Sequence, residues 1–250
     1  MALKETIIKC FNSKAYTYQN AADIQPEIAA RLAGRISHLS AKNVLEIGCG
    51  TGLLSQHLRR CFPTAQLLLT DIAPSMVDIT RDRFQQNHHV MVKLMDGEAL
   101  DTTDQFDLIA SSMTLHWFGH FKQSLQQIID KLAPGGQFVF AMLGKNSLQE
   151  WRDVFCDAEI LAPTPTFPDV DKLAQHFPEL KIEVEISKQR YLNCHEFLTT
   201  LKTIGAHAAH AKHTVLTSSM LRRMMRRFDT ISPNGVYVSY EVVYGSYTKS

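Results

Sequence analysis

The chain holds little of what would mark a disulfide scaffold, a zinc ribbon or a nucleic-acid binder. Its five cysteines are odd in number, scattered, and never spaced C-x-x-C. That usage fits a reducing compartment and a cytoplasmic protein, and excludes a disulfide framework. Lys and Arg (26) nearly balance Asp and Glu (25), so no global basic signature points to nucleic acid. No apolar run approaches the length of a membrane span. The opening Met1-Ala-Leu-Lys-Glu lacks the charged-then-apolar order of a signal peptide. Repeats and low-complexity tracts are absent. What remains fits a soluble chain of one domain, with 45% apolar residues to build a core.

The positive signal is Val44-Leu-Glu-Ile-Gly-Cys-Gly-Thr-Gly52. An apolar strand runs into glycines at every second position and then into a helical pattern. Glycine lets a backbone turn with positive φ and lets a ligand approach it closely. A helix beginning after the turn aims its free N–H groups at that ligand. The dinucleotide fingerprint G-x-G-x-x-G/A would need Gly or Ala at position 53, which is Leu53. Gln66-Leu-Leu-Leu-Thr70 reads as a short buried strand ending at Asp71, where a carboxylate can accept from a ribose diol. Val90–Met95 is a third strand, ending in Asp96-Gly97-Glu98. Gln105–Ser112 is a fourth, and Pro134-Gly-Gly136 leads into a fifth, Gln137–Met142. Strands alternating with helices predict a parallel α/β sheet. Singly, Asp71 reads equally well as a helix N-cap and Asp96-Gly97 as a plain turn.

In this order and spacing the motifs resemble those of the class I S-adenosylmethionine (SAM) methyltransferases. The resemblance implies a Rossmann-like seven-stranded sheet with the last strand antiparallel. It places SAM against Glu46, Gly48, Cys49, Gly50 and Gly52. Asp71, Ile72 and Met76 follow, then Asp96, Gly97 and Glu98 around the adenine, and Ser112 under the cofactor. Cys49 is a small packing residue there, with no basic neighbour in sequence to activate it.

Segments outside the core narrow the resemblance. Phe11–Gln25, Met142–Arg152, Phe197–Ala206 and Ser239–Gly245 are similar to the malonyl-acyl-carrier-protein O-methyltransferases of biotin synthesis, over nearly the whole chain. Segment 160–180 departs from that pattern, and His116 stands where the family often has Gln. By this resemblance the domain comprises an N-terminal helical segment (1–40), a SAM-binding core (43–142), a helical substrate-side segment (143–180) and a helical cap (192–232) before the last strand.

The implied reaction methylates the free carboxylate of a malonyl thioester on acyl carrier protein. A carboxylic acid with a pKa near ~4 is ionised at neutral pH, so no general base is required. Alignment of the reactants then carries the rate. Tyr18 is the candidate beside the methyl group, or else packs its helix onto the core. Lys202 and Arg152 are candidates to receive the carboxylate, or else solvated charges. His116 and Trp117 should face the substrate. Arg222, Arg223, Arg226 and Arg227 fall on one arc of a helix, a docking face for an acidic carrier protein or an ordinary basic surface. His207, His210 and His213 converge only partly and lack a fourth ligand, so no metal site is expected. Other readings remain: a methyltransferase of another small acid, a quinone-ring methyltransferase using His116 as base, or a non-catalytic SAM-binding adaptor.

Overall fold

The computed structural model describes residues 2–21, 24–156, 162–203, 216–231 and 234–250, with side chains described from residue 4 onward except 16–21. Two helices, α1 (Ala2–Ala21) and α2 (Gln25–Ile36), precede the core. The core alternates β1 (Asn43–Ile47), α3 (Leu53–Cys61), β2 (Gln66–Asp71), α4 (Pro74–Phe84), β3 (Val90–Leu94) and β4 (Phe106–Ser112). A short 3₁₀ turn (Leu115–Trp117), α5 (Phe121–Asp130) and β5 (Leu132–Leu143) complete it. Then come α6 (Gln149–Cys156), α7 (Val170–His176), β6 (Lys181–Tyr191), α8 (Cys194–Thr203), α9 (Ser218–Ile231) and β7 (Val236–Thr248).

The seven strands form one sheet in the order β3-β2-β1-β4-β5-β7-β6. All neighbours from β3 to β5 are parallel, while β7 runs antiparallel to both β5 and β6. The order reverses between β2-β1 and β4, and ligands of open α/β sheets bind beyond the strand ends at such a switch. Alternation along the strands separates two cores. Val44, Leu108, Val139 and Ala141 face α2, α3, α6, α8 and α9, whereas Leu45, Ile109, Phe138 and Phe140 face α5 and α7. A strand buried on both faces must be apolar at every position, which explains the unbroken apolar runs.

Three local findings refine the sequence reading. Pro134-Gly-Gly136 does not simply precede a strand: it lies within β5, where the register slips between the pairs Phe106–Leu132 and Leu108–Gln137. The missing amide hydrogen of Pro134 and the positive φ of Gly135 (75°) suit a bulge. In β6 the alternation does not bury its apolar side as a half-buried strand would. Val184 and Ile186 are 46% and 56% exposed on the sheet edge. Its acidic side is held instead: Arg35 reaches Glu183 at 2.6 Å and Arg31 reaches Glu185 at 2.6 Å. The Ser239–Gly245 stretch is structural. Glu241, almost fully buried, accepts from Asn146 N (2.9 Å) and Asn146 Nδ2 (2.7 Å), fixing the loop after β5.

Behind that loop, Trp151 of α6 is 1% exposed and centres an aromatic cluster. Its ring lies 4.9 Å from Phe155, 6.0 Å from Phe197 of α8 and 5.4 Å from Phe228 of α9. This packing anchors the described parts of the helical segments on the sheet.

Candidate active site

Two adjoining cavities open at the carboxyl ends of the parallel strands. The larger, with an empty volume of about 980 Å³, follows the tips of β1, β2 and β4 and is walled on the other side by α1. The glycine turn forms its floor. Gly48 (φ 74°) packs so tightly that a Cβ would overlap Thr114 Oγ1, whereas a Cβ on Gly50 (φ 54°) would meet nothing within 4 Å. One glycine is therefore demanded by the protein, and the other leaves its backbone bare to the cavity. Gly52 (φ 85°) is not on the cavity wall. It ends the turn at the start of α3, and a Cβ there would face Arg83 and Thr80. The third glycine thus serves the turn and the packing of α4, between Thr51 and Leu53, which do line the cavity.

Carboxylates hold this turn. Asp71 Oδ2 accepts from Gly50 N at 2.9 Å and Oδ1 from Ala73 N at 2.8 Å. Burial raises the Asp71 pKa, and its backbone donors oppose that rise. Glu46, 1% exposed, accepts from Ser55 Oγ at 2.5 Å. Burial pushes its pKa up to about 8, against the Ser55 hydrogen bond and with help from the Asp71 charge. Burial, reinforced by the charges of Asp71 and Glu46, also raises the Cys49 thiol well above its ordinary value, so it is no nucleophile.

At the far end, Asp96, Gly97 and Glu98 line the same cavity. A Cβ on Gly97 would come within 2.6 Å of Ile47 Cγ2, so glycine is needed to bring this loop against β1. Lys4 of α1 reaches both acids, at 2.6 Å from Asp96 Oδ2 and 2.8 Å from Glu98 Oε2. Burial pulls the Lys4 pKa down, and the two acids more than offset it, for a net rise. Glu98 Oε1 also accepts from His120 N at 2.8 Å. Ile72, Met76 and Ser112 complete the expected set on this wall.

The cavity fits an aminoacyl nucleoside such as SAM on its own features. A bare backbone lies at Gly50, acids stand at two separated points, and Thr51 Oγ1 is buried without a hydrogen-bond partner. A buried hydroxyl left unpaired costs stability unless a ligand or water satisfies it.

The smaller cavity, about 600 Å³, shares Phe11, Gln25, Met113 and Trp117 with the first. Its remaining walls include His116, Leu143, Leu148, Phe167, Leu201 and Tyr240. His116 and Trp117 thus lie on its wall, beyond β4. His116 Nδ1 accepts from Leu143 N at 3.4 Å, and its ring packs tilted against Trp117 and edge-on to Phe167. Burial lowers its pKa to about 3, so the ring is neutral and its proton sits on Nε2.

Neither expected cation reaches this cavity. Lys202 is exposed on α8, and Arg152 donates to Lys145 O at 2.5 Å and Gln149 Oε1 at 2.9 Å. Among the described residues no Lys or Arg lines the second cavity. The side chain of Tyr18 and residues His207, His210 and His213 lie outside the described residues. Sequence reasoning assigned no role to Lys4, Thr51 or Thr114, and quoted Gln25 only as the end of a motif. Lys4 stands 92 positions from Asp96, a separation no local pattern reveals.

Comparison with known proteins agrees with this architecture. Residues 16–230 match the model of a methyltransferase domain family. The chain is 34% identical to the malonyl-[acyl-carrier protein] O-methyltransferase of Magnetococcus marinus, over 95% of this chain and 90% of that protein. It is 36% identical to the biotin biosynthesis bifunctional protein BioCD of Bordetella avium, over 98% of this chain and 52% of that longer protein. The fold is shared with the YcgJ protein of Bacillus subtilis, with a TM-score of 0.64 at 12% identity, over 89% of this chain and 98% of that one. The sheet order, the glycine turn at its switch point and the family match define a class I SAM-dependent methyltransferase. Within that class, the chain belongs to the malonyl-[acyl-carrier protein] O-methyltransferase family.

Proposed function

We propose that this chain transfers the methyl group of SAM to the free carboxylate of a malonyl thioester carried on acyl carrier protein, yielding the methyl ester for biotin synthesis. The observation that carries this reading is the second cavity. It adjoins the first through shared walls, is mainly apolar, and holds in His116 a ring too weakly basic to take a proton at neutral pH. Such a site suits an acceptor that arrives already ionised. It does not suit a ring carbon or phenol that must lose a proton, which weighs against quinone methylation. The intact walls of the large cavity weigh against an adaptor.

SAM, held by the glycine turn, Asp71 and Asp96, supplies an electrophilic methyl. The chain's own contribution is placement and dryness: Phe11, Met113 and Trp117 divide the cavities and exclude water. Drying raises the energy of the separate ions more than that of a transition state in which opposite charges cancel.

The carrier protein is received at α9 in this reading. Arg222, Arg223 and Arg226 are exposed there and Arg227 is half-buried, while Met224 and Phe228 face the core. A basic face on a helix packed against α8, whose Thr200 and Leu201 line the acceptor cavity, suits an acidic carrier and speeds its encounter at low salt. The decisive assay compares methyl transfer to malonyl-acyl carrier protein, malonyl-CoA and free malonate. No ester on any malonyl thioester, despite tight SAM binding, would refute the proposal. Arg223→Glu with Arg226→Glu should raise KM for the carrier-bound substrate and spare malonyl-CoA. Equal kinetics on both would remove α9 as the docking face.

A further inference from the structure

Gln25 stands at the junction of the two cavities and is the first residue of α2. Its residue exposure is only 7%, yet its Oε1 has no hydrogen-bond partner. Buried side-chain amides are rarely left so, because desolvation is not repaid. Pro26 follows in the first turn of α2, and the neighbouring Ile24, Ile28 and Ala29 are buried, so the backbone here is fixed. The amide is therefore held, unpaired, on a wall common to both cavities. Its acceptor and donor ends exchange by a half-turn of the last side-chain torsion, so the same site can present an NH₂ to an anion.

We propose that Gln25 receives the acceptor carboxylate at the boundary of the cavities, with His116 Nε2–H as the second donor on the same wall. This rests on the malonyl reading above and names the residue that selects an acid. The physical advantage lies in neutral donors: among the described residues no Lys or Arg lines this wall. A Lys or Arg on this wall would hold the carboxylate most strongly before reaction, while its charge is full, and lose that hold as the charge is cancelled. Amide and imidazole donors orient the anion with charge-assisted hydrogen bonds but stabilise it less, so less attraction is forfeited on the way to the ester.

The test uses the full-length chain with Gln25→Glu and Gln25→Met. Binding of S-adenosylhomocysteine is measured by calorimetry. Steady-state kinetics use the malonyl thioester of pantetheine, and its neutral amide isostere serves as a competing ligand. Gln25→Glu should keep its nucleoside affinity within about twofold and raise KM for the acid by roughly 10–100-fold, the range for loss of a hydrogen bond to a charged group. It should also reverse the order of affinity, favouring the amide over the acid. Gln25→Met covers the case that a buried Glu prevents folding: it should raise KM too, and raise Tm by about 2–4 °C as the unpaired amide is removed. A structural role would show the opposite, a lower Tm with unchanged KM. Active parent protein with unaltered KM and ligand order in both variants overturns the role of Gln25. A parent inert toward every malonyl thioester overturns the substrate reading itself, and with it this assignment.

Discussion

Asp71 Oδ2 accepts the backbone N–H of Gly50 at 2.9 Å, so the end of β2 grips the turn that follows β1. The same carboxylate accepts from Ala73 N at 2.8 Å and so braces the residue just before α4. A residue expected to bind a ribose or to cap a helix also holds the shape of the glycine turn. Asp71→Ala should lower stability by roughly 2–4 kcal/mol, the sum of two charge-assisted hydrogen bonds partly replaced by water. Urea unfolding would measure it. Because the turn loosens, SAM affinity should fall further than loss of ribose contacts alone explains, and calorimetry on Asp71→Asn, which keeps one acceptor, should give an intermediate value.

The glycines are predicted to separate into two kinds. Gly48→Ala would drive a Cβ into Thr114, so it should impair folding itself. Gly50→Ala has room for its Cβ, and should cost only about 1–2 kcal/mol for the left-handed backbone. Its methyl group would instead occupy the cavity floor, so a folded protein with much weakened SAM binding is expected. Equal stability of the two variants would contradict the assignment.

Glu46 predicts a pH dependence. Its pKa rises from 4.5 in the unfolded chain to about 8 in the fold, so the folded state holds the proton more tightly. The stability it contributes is complete below pH 4.5 and is lost as the pH rises through about 8. Glu46→Gln should flatten that limb, changing the slope by on the order of 1.4 kcal/mol per pH unit within the window. Binding of the cationic SAM should favour the ionised form and release a proton near neutral pH. Calorimetry in buffers of different ionisation enthalpy would detect the release, and Glu46→Gln should abolish it.

His116 runs in the other direction. Its pKa falls to about 3 in the fold from 6.5, so the unfolded chain takes up a proton first. This group withdraws stability as the pH falls below 6.5, and the loss continues down to about 3. At neutral pH the pH–rate profile should show no ionisation from this ring, and His116→Gln, which keeps a neutral donor, should remain active. A fall in rate on the acidic side of the profile that disappears in His116→Gln would restore the ring as a base.

Lys4 is expected to tighten the closure of α1. It pairs with both Asp96 and Glu98 at the far end of the larger cavity, with side-chain exposures of 39%, 31% and 7%. Lys4→Met should weaken nucleoside binding by no more than about tenfold, since part-exposed ion pairs are weak and screened. The same variant should make the affinity less dependent on salt.

The cofactor half of this protein is written locally. Val44–Gly52, Asp71 and Asp96-Gly97-Glu98 each sit at the end of an apolar strand, and strand ends are legible because period-2 and period-3.6 patterns change there. The acceptor half is not. Lys202 and Arg152 were reasonable cations by residue type, but one is exposed and the other is bound to the Lys145 carbonyl. No periodicity reports which way a partly exposed charge will turn. Gln25 is similar: its side chain becomes informative only when burial leaves its amide unpaired between two cavities.

The sequence by itself determined the parallel core and the order of its motifs, because hydrophobic period and glycine spacing act within a few residues, and those motifs carried the resemblance that implies the donor. Only the tertiary structure decided that Gly52 serves packing, that Lys4 closes on Asp96 across 92 positions, and that no Lys or Arg among the described residues lines the second cavity. Those outcomes depend on burial and on long-range contact, where desolvation decides which polar groups are tied up and which remain free to bind.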